Sequence, residues 1–466
     1  MAEIVGYKHE LDRDALSLPK LAIQGLAVIG PSITAAILIT GISGVALSAT
    51  PLVFAVATIA ILINVNTAIQ YSKKIASSGG FYSYVSQGFG PKIGIMAGLY
   101  QLFYQITNVS FLALWNGYFI GEIYGFFTGK QVSIYIMLVI SLLTVIFYFL
   151  VQYIGIRKAV NFNFVTGLIE SAFLVIISLI IIILSGPANT FIVFTPGVAG
   201  IHGVGLGMIL ALLSFGGYTT IVSLAEEAKE PKKNVGKAII ITVVAAGIIF
   251  VITSYALTIG FGFKNMVAFS QLPLPGFTVV EKYAGLAGAA ILAIIVLSAN
   301  LNAVNGQMVN VSRLVYRMSR DGVLPHSLGK AHHKYKSPYN ALTSLTIIST
   351  GVMIVTFLTI KPLIDAVFLL ATFATVGTIM VHTLSNLSLI NFYRKQKFRF
   401  IVHGVLPIVG SVLILYALYA SIWPPVFPYY IAPIALVIWS IAAIVYVFLF
   451  SRKNKENLEN IGKFTL

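Results

Sequence analysis

Residues 28–36 read Val28-Ile29-Gly30-Pro31-Ser32-Ile33-Thr34-Ala35-Ala36, and residues 213–220 read Leu213-Ser214-Phe215-Gly216-Gly217-Tyr218-Thr219-Thr220. Each stretch lies deep inside an apolar run long enough to cross a bilayer. Pro31 has no N–H to give to a helix, and a glycine in a helix interior costs about 1 kcal/mol against alanine. One such interruption is a kink. Two of them, in the first and sixth apolar runs, occupy the same place in successive five-helix units, the placement expected of inverted-repeat transporters whose helices break at midplane. No residue-level identity joins the two units, so the repeat is read from position.

Working outward, the 466 residues are 58% hydrophobic and only 9% charged, with a mean hydropathy of +0.93. A cytosolic enzyme or a disordered protein needs far more charge, so the chain reads as an all-α integral membrane protein. Twelve apolar runs are counted: 21–45, 51–71, 93–120, 132–153, 162–184, 204–225, 235–261, 286–311, 341–360, 363–392, 401–423 and 429–450. They divide into residues 1–20 as an N-terminal cytoplasmic segment, 21–200 and 201–400 as two five-helix repeats, 401–450 as two further helices and 451–466 as a cytoplasmic tail. The connections at 262–285 and 312–340 have room for short surface helices only.

Lysine and arginine outnumber aspartate and glutamate by 30 to 14, a net charge of +16. With the N-terminus inside, 26 of the basic residues fall on cytoplasmic segments and only Lys130, Lys264, Lys282 and Lys361 fall outside. This bias follows the positive-inside rule, sets both termini in the cytoplasm, and makes nucleic acid a poor explanation for the charge. The first apolar run is too long, and lacks the small-residue cleavage site, for a removed secretory signal. Cysteine is absent, which excludes disulfides, thiolate metal sites and cysteine nucleophiles.

A break at midplane exposes N–H groups on one half-helix and carbonyls on the other, a costly arrangement unless they line a cavity or meet a ligand. The amides of Ser32, Ile33 and Thr34 are expected to suit a carboxylate, at the positive end of the outer half of the first helix. Carbonyls near Ile29 and at Leu213, Ser214 and Phe215 suit an ammonium group. A zwitterion fits both. The third run carries Gln101, Gln105, Asn108 and Trp115 on one face, and the eighth carries Ser298, Asn302, Asn305 and Ser312; these two stripes are expected to line a hydrated path. Asn64 and Asn66 of the second run read equally as packing groups. Glu170, nine residues into the fifth run, is the one acidic residue away from tails, loops and helix ends, and it is the candidate for coupling to a proton or balancing a cation, with a protonated glutamate bridging two helices as the other reading. His382 reads as a neutral, hydrogen-bonded histidine.

The sixth run continues into Ala225-Glu226-Glu227-Ala228-Lys229-Glu230-Pro231-Lys232-Lys233-Asn234-Val235. With Leu213–Tyr218 this resembles the amino acid, polyamine and organocation (APC) superfamily of permeases. Two further stretches resemble its patterns, Ser78-Gly79-Gly80-Phe81-Tyr82-Ser83-Tyr84 and Ser319-Arg320-Asp321-Gly322-Val323-Leu324-Pro325. The resemblance spans roughly the first ten helices. It implies the LeuT-like fold, a five-plus-five inverted repeat with two extra C-terminal helices, and transport of amino acids or related amines by alternating access. It puts the substrate carboxylate on the amides of residues 30–36 and the second break at Ser214 to Gly217, with Gly30, Gly216 and Gly217 in the binding set. Two positions depart from relatives: Leu213 stands where an aromatic gate is common, so Phe215 or another aromatic must close the site, and Glu170 stands at or near a position where several relatives carry lysine. Sodium and proton coupling both stay open. Glu226, Glu227 and Lys229 sit at the inner end of the sixth run, where the glutamates are expected to pair with Arg313, Arg317 or Arg320 as weak, wet gate contacts worth about 0–1 kcal/mol each or to form a plain solvated charge cluster.

These readings make the chain a secondary transporter of amino acids, neutral or apolar ones in the first instance because the pocket has no acid besides Glu170. A polyamine or basic amino acid carrier is the near alternative; a channel or a transport-fold sensor is the alternative of a different class. No HExxH, GxSxG or clustered acidic metal site supports an enzyme, no Walker-type glycine loop supports an ATP-driven pump, and no cofactor is expected.

Overall fold

The structure is a computed structural model that describes residues 14–153, 156–333, 335, 337–423, 427–454, 458 and 461–462. Most of the expected N-terminal segment, residues 1–13, and the last part of the tail, residues 463–466, lie outside the described residues. The chain is helical throughout: α1 (Leu18–Ile29), α2 (Pro31–Ile33), α3 (Ile39–Ala46), α4 (Thr50–Ser72), α5 (Phe81–Phe89), α6 (Pro91–Thr128), α7 (Ile134–Tyr153), α8 (Ile156–Ser185), α9 (Gly200–Leu213), α10 (Thr219–Ser223), α11 (Pro231–Phe261), α12 (Met266–Ser270), α13 (Pro275–Arg320), α14 (Tyr339–Thr359), α15 (Leu363–Arg394), α16 (Leu406–Ile422) and α17 (Ile431–Lys453). Among the described residues the extended pairing is confined to a single bridge between Leu16 and Ala228.

Among the described residues, ten helical segments are long and apolar enough to cross a membrane. Twelve runs were expected, and the two outside that set are helices of a different kind. α6 has 38 residues, ample length, but Gln101, Gln105, Asn108 and Asn116 dilute its hydropathy. α16 has 17 residues, the short end of the range for a crossing, and the π-helical turn Phe400–Val405 runs directly into it. Helix boundaries follow local chemistry: Pro91 and Pro231 open α6 and α11 at positions where a missing N–H costs nothing, and Gly129 closes α6 in the left-handed conformation, its N–H on Gly125.

Both expected interruptions are present. After α1 the chain turns at Gly30, whose φ of 60° and ψ of 64° are left-handed, a conformation that a glycine enters without steric penalty. The three-residue α2 and a π-helical turn, Thr34–Leu38, lead to α3. In the other segment α9 stops at Leu213, Ser214 and Phe215 form a turn, and a 3-10 turn over Gly216–Tyr218 leads into the short α10. The two breaks touch backbone to backbone: a Cβ on Gly217 would lie 2.3 Å from the amide nitrogen of Ile29 and 2.6 Å from the carbonyl carbon of Val28. No side chain fits there. α1 also packs on α8, α11 and α13, so the broken pair sits in the middle of the bundle.

The sequence reading left residues 81–89 without a helix of their own. They form α5, which lies against α6 and α15 and carries the Phe81-Tyr82-Ser83-Tyr84 motif into the core. The 262–285 connection does hold the short α12, while α13 starts early, at Pro275, and bends at Gly285, whose φ is 66°.

Candidate functional site

A cavity of about 560 Å³ lies between the two breaks, within the range usual for small-molecule sites. Its wall comes from both broken helices and from α4, α6, α13 and α15. Ile29, Ile33 and Thr34 line it from the first break, and Leu213, Ser214, Phe215, Gly216 and Gly217 from the second. No aspartate, glutamate, lysine or arginine is among its lining residues. Much of the wall is aliphatic or aromatic, with Leu38, Ile61, Phe111, Leu112, Trp115, Leu210, Phe368 and Ile414, and polar groups are set into it at Asn64, Tyr104, Asn108, Tyr218, Thr219, Gln307, Thr375, Thr378 and His382. A cavity built this way accepts a ligand that is apolar over most of its surface and carries few hydrogen-bonding groups.

The amides expected to hold a carboxylate are engaged. Ser32 N–H donates to Glu170 Oε1 at 3.0 Å and the Ser32 hydroxyl to the same oxygen at 2.8 Å. Ile33 N–H donates to the Gly30 carbonyl at 3.0 Å, and Thr34 N–H to that of Pro31. The first amides of a helix have no partner within it, and here a carboxylate of the protein itself meets the Ser32 group. Ser32 and Glu170 are both buried and line no part of the cavity; Glu170 stands behind the break, on α8. Its second oxygen, Oε2, has no hydrogen-bond partner among the described residues.

Other expectations need correction. Of the α6 stripe, Asn108 and Trp115 reach the cavity, whereas Gln101 accepts from the Tyr82 amide at 3.3 Å and Gln105 donates to the Tyr104 hydroxyl at 3.1 Å. Asn302 and Asn305 of the α13 stripe line no part of the cavity. Asn302 accepts from Thr166 at 3.0 Å through its side chain and from Asn163 at 3.4 Å through its carbonyl, and Asn305 bonds Asn163 at 2.6 Å and Gln152. These groups knit α13 to α7 and α8, since a polar side chain among apolar helices is held by the nearest polar partner. Asn64 both lines the cavity and accepts from Asn386 at 3.0 Å, while Asn66 donates to the Val402 carbonyl at 2.7 Å. His382, read as a neutral, hydrogen-bonded histidine, has Nδ1 3.4 Å from the Tyr218 hydroxyl and in addition lines the cavity. Phe215 packs edge-on against Phe250, ring centres 5.0 Å apart. Tyr104, Gln307 and the α15 threonines were missed because their runs carry no interruption and their facing is set by packing.

The three motif stretches converge at one end of the bundle, the basic end. Arg313 holds Glu227 through two bonds of 3.1 and 3.3 Å, with side chains 2% and 0% exposed. The expectation of a wet, weak pair fails for this one: with solvent excluded, losing either partner leaves a buried charge. Glu226 accepts from the Ser78 amide at 2.9 Å and hydroxyl at 3.0 Å, and lies 3.9 Å from Arg317. Arg317 also holds Asp321 at 3.1 Å. Burial, and then the Asp321 carboxylate, hold the Tyr82 hydroxyl protonated well above the usual tyrosine range, so it donates to Asp321, at 2.8 Å. Leu16 adds two backbone bonds to Glu227 and Lys229, of 3.0 and 2.8 Å. The cavity reaches Gly41, Val45 and Leu206 in the opposite direction.

A family model described as amino acid permease matches residues 21–459. The chain belongs to the amino acid permease family. This permease, of the APC superfamily, is therefore a transporter and not an enzyme, and it is a multi-pass membrane protein. It is 24% identical over 428 residues to the branched-chain amino acid permease BcaP of Bacillus subtilis, covering 86% of each chain. It is 26% identical over 403 residues to the low-affinity putrescine importer PlaP of Escherichia coli, covering 83% of this chain and 82% of that one. Over 296 residues it is 28% identical to the human large neutral amino acids transporter small subunit 2, covering 60% and 53%.

Proposed function

We propose that this permease is a secondary transporter of neutral amino acids with apolar side chains, moving them across the cell membrane by alternating access. The carrying observation is the cavity between the two breaks, lined by no ionised acid or base and by many aliphatic and aromatic groups. A dicationic polyamine would enter it without a counter-charge, at the desolvation cost of an unpaired ion. A zwitterion with an apolar side chain neutralises itself, and the hydroxyls of Thr34 and Ser214 stand in the cavity wall beside the two breaks to meet its charged ends. The similarity to BcaP and to the large neutral amino acids transporter supports this choice, and the similarity to PlaP makes putrescine the competitor to test.

In this reading the chain crosses the membrane twelve times, α6 and α16 included, as two inverted five-helix repeats followed by two helices, with both termini in the cytoplasm as the basic residues favour. The basic end is then the inward gate, closed by Glu226, Glu227, Arg313 and Arg317, and the cavity opens outward. Glu170 is the coupling group: a buried carboxylate with one unpartnered oxygen invites a proton or a sodium ion.

Uptake of radiolabelled leucine into proteoliposomes, competed by each of the other amino acids and by putrescine, tests the assignment. Saturable uptake inhibited by valine, isoleucine or phenylalanine and indifferent to putrescine supports it. Inhibition by putrescine and indifference to the apolar amino acids replaces it with the polyamine reading, and flux that does not saturate replaces it with a channel.

A further inference from the structure

We propose that Ile461 and Gly462, beyond α17, form a latch on the inward gate, and that Asp321 is the positioning residue through which they act. The proposal rests on the alternating-access reading above. Asp321 Oδ2 accepts three bonds, from the Tyr82 hydroxyl at 2.8 Å, from the Gly462 amide at 3.1 Å and from Arg317 Nε at 3.4 Å. The Gly462 carbonyl in turn accepts from Gln87 Nε2 at 2.7 Å. A single residue, through its N–H and its C=O, thereby fastens α5 to the end of α13.

The seat is shaped for it. Ile461 is 3% exposed, in an apolar cluster with Tyr82, Ile95, Leu314, Met318 and Val323. Gly462 has a φ of +69°, and a Cβ on it would stand 2.3 Å from that of Ser86, so another residue at this position would be strained and would clash. A segment that merely trailed over the surface would need neither the buried isoleucine nor the glycine.

The contact has a route to the gate. Gly462 and Tyr82 fix the Asp321 carboxylate, Asp321 engages Nε and Nη2 of Arg317, and that leaves Nη1 turned toward Glu226, 3.9 Å away. Glu226 is the group that closes on the Ser78 amide and hydroxyl. A hydrogen bond to a carboxylate is among the stronger ones a protein makes, and its loss shifts the balance between closed and open gate.

The absence of cysteine makes the test direct. Ser223 is 2% exposed and lies between Thr219, which lines the cavity, and Glu226 in the gate. In the purified full chain, Ser223→Cys is labelled by a maleimide only while the gate is open. Adding Gly462→Val is expected to speed labelling about tenfold, with Ile461→Ala in the same direction, and with the melting temperature little changed. Asp321→Asn, which keeps the acceptor and loses the charge, should fall between. Labelling at the parent rate in both Gly462→Val and Ile461→Ala overturns the latch, as does labelling that rises only in step with a falling melting temperature, which marks packing alone. The labelling rate does not depend on the solute carried, so a wrong substrate would show as absent uptake by the parent chain with the latch effect intact.

Discussion

Glu170 on α8 holds Ser32 by two hydrogen bonds, one from the backbone amide at 3.0 Å and one from the hydroxyl at 2.8 Å, across 138 positions of sequence. A carboxylate of the protein thus occupies the start of the segment that resumes after the break in the first helix. Both bonds go to one oxygen, and the other has no partner among the described residues. Glu170→Gln keeps the acceptor oxygen and removes the exchangeable proton. If Glu170 couples, leucine uptake by the glutamine variant should lose its dependence on pH, measured in proteoliposomes with a fixed inside pH. Unaltered pH dependence removes Glu170 from coupling. Glu170→Ala strands the Ser32 donors and should cost about 1–3 kcal/mol for each, read as a lower melting temperature.

The Arg313–Glu227 pair offers a second measurement. Either single change, Arg313→Ala or Glu227→Ala, should destabilise the permease by about 3–5 kcal/mol, because the partner is left charged and dry. The double change, Arg313→Ala with Glu227→Ala, should cost much less than the sum, in a double-mutant cycle read by thermal unfolding. Lys233 and Glu230 form a pair at 62% and 66% exposure, and Lys233→Ala should move the melting temperature hardly at all.

Gly216 and Gly217 are adjacent and should respond oppositely. A Cβ at 217 runs into the backbone of Ile29, whereas a Cβ at 216 meets nothing within 4 Å. Gly217→Ala should abolish uptake and lower the yield of folded protein, since the two broken segments can no longer touch. Gly216→Ala should fold normally and raise the KM for leucine, because its methyl enters the cavity. Size-exclusion profiles and uptake kinetics separate the two results.

Selectivity should follow the charge of the cavity wall. Asn108→Asp places a carboxylate where no ionised group now faces the ligand. Competition by putrescine should strengthen by about tenfold, the scale of one hydrogen bond to a charged partner, while competition by isoleucine weakens. Equal effects on both competitors would mean that Asn108 does not face the bound solute.

The sequence was a good guide to the places where it acts locally. Hydropathy located the ten apolar helices long enough to cross, and Gly30, Pro31, Gly216 and Gly217 located both interruptions, because a missing N–H or Cβ has its effect within one turn. It was a poor guide to facing. Asn302 and Gln105 lie on polar stripes as sound as that of Asn108, yet only Asn108 reaches the cavity. A stripe shows that a helix face needs polar neighbours and does not say whether those neighbours are side chains or a solute. Ser32 illustrates the same limit: its amide looked available in the chain, and a distant helix had already taken it.

Gate strength was misjudged for a related reason. Glu227 and Arg313 are charged residues beyond or near the ends of apolar runs, where composition places water. Folding packs α10 against α13 and ties Leu16 to Glu227, so the pair is dry and its energetics change from negligible attraction to a costly loss if broken.

The order of residues alone therefore decided that this protein lies in a membrane, roughly where it crosses, where two crossings come apart, and to which family it belongs, since apolar length, backbone donors and motif identity are properties of short stretches. The tertiary structure decided which oxygen meets which amide, which side chains surround the cavity, and which charges are sheltered from water. Those depend on how each helix is rotated about its own axis, and that rotation is set only when all its neighbours have packed.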